Sequence, residues 1–360
     1  MPVRGLVRAR RHLFARQSAF GTPIAAVRAY PFSGVPDVDE QWTDPAGDFG
    51  SIDPVAAPYR GAGQYGFNGT IDSLNYNDLP LLLSGILGGG VTSSGAGTAK
   101  TRTWTPASDG TDEFDVYTYE FGDDVDGSAT GIPNDWFQLS DGTITDLTID
   151  SPEEGAGVLT ASAQWSFGAF RYAGSTDNAP SGTIPSITDK PDTDATPLYL
   201  KDAKIYIDSD PSDIGQTQLT DSVHKFTLHI TQEKDDKRYA NGDQTFDVDA
   251  YGRGARAIEV AMMYAKTADT VGVGSESDAW SADSAVDRYL TIAFTSKRLA
   301  EVGIYYSWSF SLPMRYYTRT EGNIGGNTVV NLTGHAFLDS TVLDYAFYSE
   351  LVNTLTDAEL

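Results

Sequence analysis

"LSDGTITDLTIDSPEEGAGVLTASAQWSFG", residues 139–168, decides how this chain folds. Its second half alternates with period two. Leu159, Ala161, Ala163, Trp165 and Phe167 fall on one face, and Thr160, Ser162, Gln164 and Ser166 on the other. Successive side chains of a strand point to opposite faces, so this pattern predicts a half-buried β-strand. The acidic, glycine-bearing stretch at Glu153, Glu154 and Gly155 predicts the turn that joins it to a first strand. The hairpin holds no His, Cys, Lys or Arg, so it lacks most of the side chains that carry chemistry.

The same period recurs along the chain. "DVYTYEF" (115–121) aligns Tyr117, Tyr119 and Phe121; "KFTLHIT" (225–231) aligns Phe226, Leu228 and Ile230. "YSWSFSL" (306–312) sets Tyr306, Trp308, Phe310 and Leu312 against three serines. These read as antiparallel strands with one face in a core and the other toward water or a partner. Helices are few. "NDLPLLLSGILGGG" (77–90) offers Asn77 or Asp78 as a cap, Pro80 in the first turn, apolar Leu79, Leu82, Leu83 and Ile86, and Gly88 as a stop. "ARAIEVAMMYAKTAD" (255–269) places Ile258, Ala261, Met262 and Ala265 at helical spacing, and a third helix is expected around "YAFYSELVN" (345–353). The expected class is mainly β with a few short helices.

Linker composition appears at 33–60, 89–112 and 173–197, the last being rich in Pro, Ser, Thr and Asp and free of periodicity. The expected division is therefore an N-terminal basic arm and linker (1–60), a first domain (61–172), a linker (173–197) and a second domain (198–360). The two domains show a common order of elements. Each has a strand entering a helix, then an alternating strand, then a hairpin with Glu-Gly in its turn (Glu154-Gly155 and Glu321-Gly322). That order suggests a duplication.

Charge is the strongest compositional signal. The formal net charge is −25, built from 38 Asp and 12 Glu. Such an excess fits salt adaptation, in which high ionic strength screens self-repulsion, or a solubilising acidic surface. It argues against a tight nucleic-acid binder, which needs a basic footprint. Against this background the first 36 residues carry Arg4, Arg8, Arg10, Arg11, Arg16 and Arg28 and no acid. A basic arm on an acidic body suggests docking on a neighbouring copy, although an Arg-rich, acid-free start also resembles an organellar transit peptide. The longest apolar run, "LPLLLSGILGGGV", is too short and too glycine-rich to span a bilayer.

Chemistry is sparse. The chain has no cysteine, which excludes disulfides, thiolate metal sites and cysteine nucleophiles. His12, His224, His229 and His335 fit no metal template and read as polar-face strand residues without an acid in register. "GRGARA" (252–257) imitates a dinucleotide fingerprint, but the strand before it alternates and no βαβ unit follows. The acid clusters "GDDVDG" (122–127) and "DSDPSDIG" (208–215) read as surface acid rather than calcium loops. Asn68 and Asn331 head formal glycosylation sequons. No catalytic, cofactor-binding or metal-binding residue is expected.

"RHLFARQSAFGTPIAAVRAYPFSG" (11–34), "FNGTIDSLNYNDLPLLLSGILGG" (67–89) and the opening hairpin, in that order, resemble the tail tube (major tail) proteins of long-tailed, non-contractile viruses. The stretch from "LYLKDAKIYIDSDPSDIGQTQL" to "RTEGNIGGNTVVNLTGHAF" is similar in style, so the resemblance covers roughly residues 10–350. It implies tandem β-sandwich or barrel domains whose inner sheets join between subunits into a hollow tube. Rings would stack through loops and arms, with Arg4, Arg8, Arg10, Arg11 and Arg16 as assembly residues. Thr160, Ser162, Gln164 and Ser166 would face the lumen or an adjoining sheet. The implied partners are further copies of the chain, the tape-measure, terminator and baseplate or tip proteins, and viral DNA passing without specific binding. No membrane is implied, and the place is the virion tail, assembled in the host cytoplasm. A two-domain chain implies three chains per pseudo-sixfold ring, and the Asp-rich composition points to a virus of halophilic archaea. Two other readings compete: a trimeric porin-like outer-membrane barrel, whose strands also alternate, and a surface-layer β-protein.

Overall fold

The computed structural model describes residues 11–39, 42–43, 59–60, 63–90, 92–106, 114–123, 135–152, 157–172, 196–219, 223–240, 247–265, 280–281, 284–285 and 287–360. The first part of the chain contributes β1 (Arg11–Arg16), β2 (Arg28–Tyr30), β3 (Pro36–Asp39), β4 (Trp42–Thr43), β5 (Tyr59–Arg60) and β6 (Gln64–Ile71). Helix α1 (Leu79–Leu87) follows, then β7 (Lys100–Trp104), β8 (Tyr117–Asp123), β9 (Asp135–Asp150), β10 (Thr160–Phe167) and β11 (Ala169–Tyr172). The second part contributes β12 (Ala203–Asp208), β13 (Gln218–Leu219), β14 (Val223–Lys237), β15 (Ala250–Ala265), β16 (Trp280–Ser281) and β17 (Ser284–Ala285). It ends with β18 (Asp287–Glu301), β19 (Ile304–Ile324), β20 (Asn327–Ala336) and β21 (Tyr348–Asn353). The protein is mainly β and its pairings are antiparallel.

Two long strands organise the layers because each bends from one sheet into another. Residues 135–142 of β9 pair with β8 and β11, whereas residues 143–150 pair with β10. The corner is Asp141-Gly142. Asp141 has φ +58°, the left-handed region that Asp tolerates better than most residues. Gln17 Nε2 and the Gly21 amide donate to Asp141 Oδ1 at 3.0 and 2.6 Å, and Tyr251 Oη donates to its carbonyl. A side chain at Gly142 would meet the Phe167 ring, so the corner needs glycine there. Strand β19 does the same: residues 304–315 pair with β18, and residues 314–324 pair with β20.

One layer is therefore β2–β1–β8–β9–β11. A second runs β3–β6–β10–β9–β14–β15–β20, and a third runs β13–β12–β18–β19–β21–β7. Between the first two layers lie Phe14, Phe67, Tyr119, Trp165 and Phe167, with Phe14 and Trp165 ring centroids 4.8 Å apart. Between the others lie Phe226, Phe294, Trp308 and Phe310, with Phe294 stacked on Trp308 at 5.3 Å. Helix α1 is buried on every side, as a helix apolar all round must be. Trp104 Nε1 donates to Ser84 Oγ, and Thr143 Oγ1 to the Gly85 carbonyl. The two parts are continuous: Asp146–Asp150 of β9 pair with Thr227–Thr231 of β14, and one apolar cluster runs from Phe14 to Leu351.

Several expectations are corrected. Residues 255–265 form strand, not helix: Ile258, Val260, Met262 and Tyr264 are buried with period two against β14 and β20. Its apolar residues satisfied both periods, and long-range pairing chose between them. "YAFYSELVN" likewise contains β21, held between β19 and β7. The second hairpin turns at Gly325-Gly326, with φ +56° and +88°, while Glu321 and Gly322 lie within β19. Two of the elements matched between the two parts are thereby lost. Strand β7 lies inside the expected 89–112 linker, and β1 to β3 lie inside the expected arm and linker of 1–60. Strand β8 is buried on both faces, Thr118 and Glu120 included. The linker residues 173–195 and the first Glu-Gly turn lie outside the described residues.

Candidate assembly surface

The alternation of the opening hairpin puts Leu159, Ala161, Ala163, Trp165 and Phe167 in the core. Thr160, Ser162 and Gln164 are exposed and Ser166 is half-buried. The structure brings these four onto a broader face. Register extends the row through Ser162 from Thr70 of β6 to Thr148 of β9, His229 of β14, Glu259 of β15, His335 of β20 and Arg315 of β19. The row through Gln164 runs from Asn68 to Asp146, Thr231 and Ala257, and that through Thr160 includes Asp150, Thr227, Ala261 and Thr333. The result is a polar face of mostly hydroxyl and amide side chains across both parts of the chain.

Acidic and basic side chains on this face lie within reach of one another. His229 Nε2 lies 3.1 Å from Asp146 and its Nδ1 3.9 Å from Glu259. Glu259 also meets His335 Nδ1 at 3.2 Å, and the His335 ring stacks on Tyr317 at 4.1 Å. Lys225 Nζ pairs with Asp150 at 3.2 Å. Ser166 Oγ accepts from Lys234 Nζ at 2.7 Å; burial lowers the pKa of that ammonium, and Asp236 at 3.0 Å opposes the shift. His229 therefore has an acid in register, Glu259 of β15, and a second, Asp146 of β9, on the diagonal, contrary to the sequence reading, because both stand on neighbouring strands. Among the described residues no three His, Asp or Glu side chains converge to hold a metal ion.

The other singled-out residues fall elsewhere. Arg4, Arg8 and Arg10 lie outside the described residues; Arg11 opens β1. Arg16 closes β1 and is engaged within the chain, its Nη2 2.8 Å from Asp115 Oδ1. His12 is buried rather than on a polar face, bonded through Nδ1 to Tyr119 Oη at 2.9 Å and stacked on Phe67. Asp208 is buried too, its carboxylate accepting from the amides of Gly215, Gln216 and Thr217, so it braces a loop. Residues 124–127 of the other acid cluster lie outside the described residues. Sequence reasoning missed the corner at Asp141, although its Asp-Gly dipeptide is a turn signal. It also missed Arg102, a fully buried guanidinium that donates to Asn353 Oδ1 at 3.0 Å and Asp357 Oδ1 at 2.9 Å. Burial lowers the pKa of Arg102 and Asp357 opposes the shift.

No family model matches the chain, and no curated protein matches it. Among solved structures, the SPP1 tail tube is similar at 11% identity and a TM-score of 0.26, over 44% of this chain and 80% of that chain.

Proposed function

We propose that this chain is a structural subunit of the tail tube of a long-tailed, non-contractile virus, polymerising into stacked rings around the path of the genome. The observation that carries the reading is the continuous polar face from β6 to β19, backed by aromatic cores, on which Lys225 pairs with Asp150 and Lys234 with Asp236. A wall that DNA must pass needs such a face, free of an unpaired basic footprint. The sequence resemblance supplies the viral context. Two aromatic-cored regions in one chain favour three chains per pseudo-sixfold ring. The porin reading is disfavoured because the aromatic faces of β10 and β19 pack on internal partners, whereas a porin turns them to lipid.

Negative-stain microscopy of the protein purified without detergent, in low and molar salt, tests this. Hollow tubes or threefold-symmetric rings are the expected result. Planar lattices would favour the surface-layer reading, and dispersed monomers at every salt would sink the tube. The basic arm has its own test, confined to residues 1–10 because Leu13, Phe14 and Ala15 of β1 are buried. Its removal should leave rings that no longer stack; tubes of normal length from the shortened chain would remove the arm from assembly.

A further inference from the structure

The tip of the β18–β19 hairpin is apolar where hairpin tips are ordinarily polar. Its cross-strand pairs are Leu299 with Tyr305 and Glu301 with Ile304, closed by Val302-Gly303 with Gly303 at φ +81°. Leu299, Ile304 and Tyr305 are exposed, and Val302 is 94% exposed. Lys297 and Arg298 are also exposed beside them. The one acid of the tip, Glu301, is engaged by the Ala99 amide at 3.0 Å. A cluster of exposed apolar side chains on a projecting hairpin marks a contact surface.

The same strands end in the complementary surface. Asp287, at the far end of β18, lies twelve positions from Leu299, roughly 40 Å along an extended strand. A cavity of about 340 Å³ opens near that end, lined by Ile258, Ala336, Phe337, Leu338 and Phe347 among others, and Leu338 and Val342 are exposed there. Arg253 and Arg256, which also line it, are engaged with the Leu87 carbonyl and with Gln232. Acids surround this end. Burial and the carboxylates of Asp339, Asp287 and Asp210 push the Tyr289 hydroxyl pKa up, and exposed Asp213 and Asp344 lie beside them. Asp287 is joined to Arg315, whose guanidinium lies over Phe337.

We propose that copies of this chain bind head to tail, the apolar and basic β18–β19 tip of one copy seating in the apolar, acid-rimmed groove at the opposite end of the next. The occupant is a second copy because the two surfaces lie at opposite ends of the same strands, and the exposed acids Asp213 and Asp344 that flank the cavity, outside its arginine-bearing lining, are opposite in sign to Lys297 and Arg298 of the tip. Such a pair cannot satisfy itself within one molecule and is heterologous, so it builds a closed ring or an open filament, and a translation along the strand direction gives the filament. The contact rests on the reading of the chain as a self-assembling subunit, and supplies the stacking direction.

The absence of cysteine makes the test direct. Val302→Cys and Leu338→Cys are combined in the full chain and oxidised with copper phenanthroline. The expected result is a ladder of disulfide-linked multimers, because the two positions are too far apart to join within one copy. Each single-cysteine variant should give no product beyond a dimer. Adding Ile304→Asp to the double variant should abolish the ladder, with circular dichroism unchanged. Tubes without a ladder overturn the head-to-tail contact alone. A ladder without tubes overturns the tube reading and leaves the contact standing, and neither product overturns both.

Discussion

Trp165→Ala is expected to destabilise the protein by about 3–5 kcal/mol, the usual cost of emptying a buried tryptophan site. Trp165 is 1% exposed and meets Phe14 at 4.8 Å, Tyr117 edge-on at 5.8 Å and Phe167 at 6.0 Å. Helix α1 approaches through Gly85, where an added Cβ would stand 3.2 Å from the indole. Alanine would thus open a void bounded by strands of two layers and by a rigid helix, which cannot all collapse into it. Gln164→Ala, one residue away on the exposed face, is expected to change stability by less than about 0.5 kcal/mol. Trp165→Phe should cost far less than alanine, since the indole Nε1 has no hydrogen-bond partner among the described residues. Urea unfolding midpoints at fixed salt check the series. Equal losses for Trp165→Ala and Gln164→Ala would mean that the hairpin does not separate a core face from an outer one.

That separation was legible in the sequence because it is local. Period two in residues 159–167 needs no knowledge of the rest of the chain, and neither do the faces of Phe226 to Ile230 or Tyr306 to Leu312. Helix α1 was legible for the same reason, with Pro80 and Gly88 marking its ends. The segment from Ala255 was misread because Ile258 and Met262 satisfy both periods; β14 on one side and β20 on the other decide it, and both lie distant in sequence. The same limit explains the polar face. Asp146, His229, Glu259 and His335 come from four strands, so their adjacency is a property of register. Strand β8 shows the limit at one residue. Glu120 sits at the polar position of an alternating strand, yet the segment from Ile24 to Ala26 covers that face as well.

Covering Glu120 has a measurable consequence. Burial pushes its carboxyl up from 4.5 to about 7, against the opposing hydrogen bond that Gln138 Nε2 donates at 2.9 Å. The folded chain therefore holds a proton that the unfolded chain has already released between about pH 4.5 and 7. Stability must fall as pH rises through that window and level off above it, by about 3 kcal/mol if the full shift is realised. Glutamine at this position resembles the protonated acid. Glu120→Gln should therefore match the wild type near pH 4 and exceed it by about 3 kcal/mol at pH 8. The readout is the difference between the two proteins at each pH and constant salt, which cancels titrations they share, including repulsion among the remaining carboxylates. A constant difference across pH 5–8 would mean that Glu120 is ionised throughout and hydrated in the folded chain. A difference that opens above pH 5 places a buried carboxylate between the β1–β8 layer and the segment around Ala26. In that case the sandwich of the first part is at its most stable below neutrality.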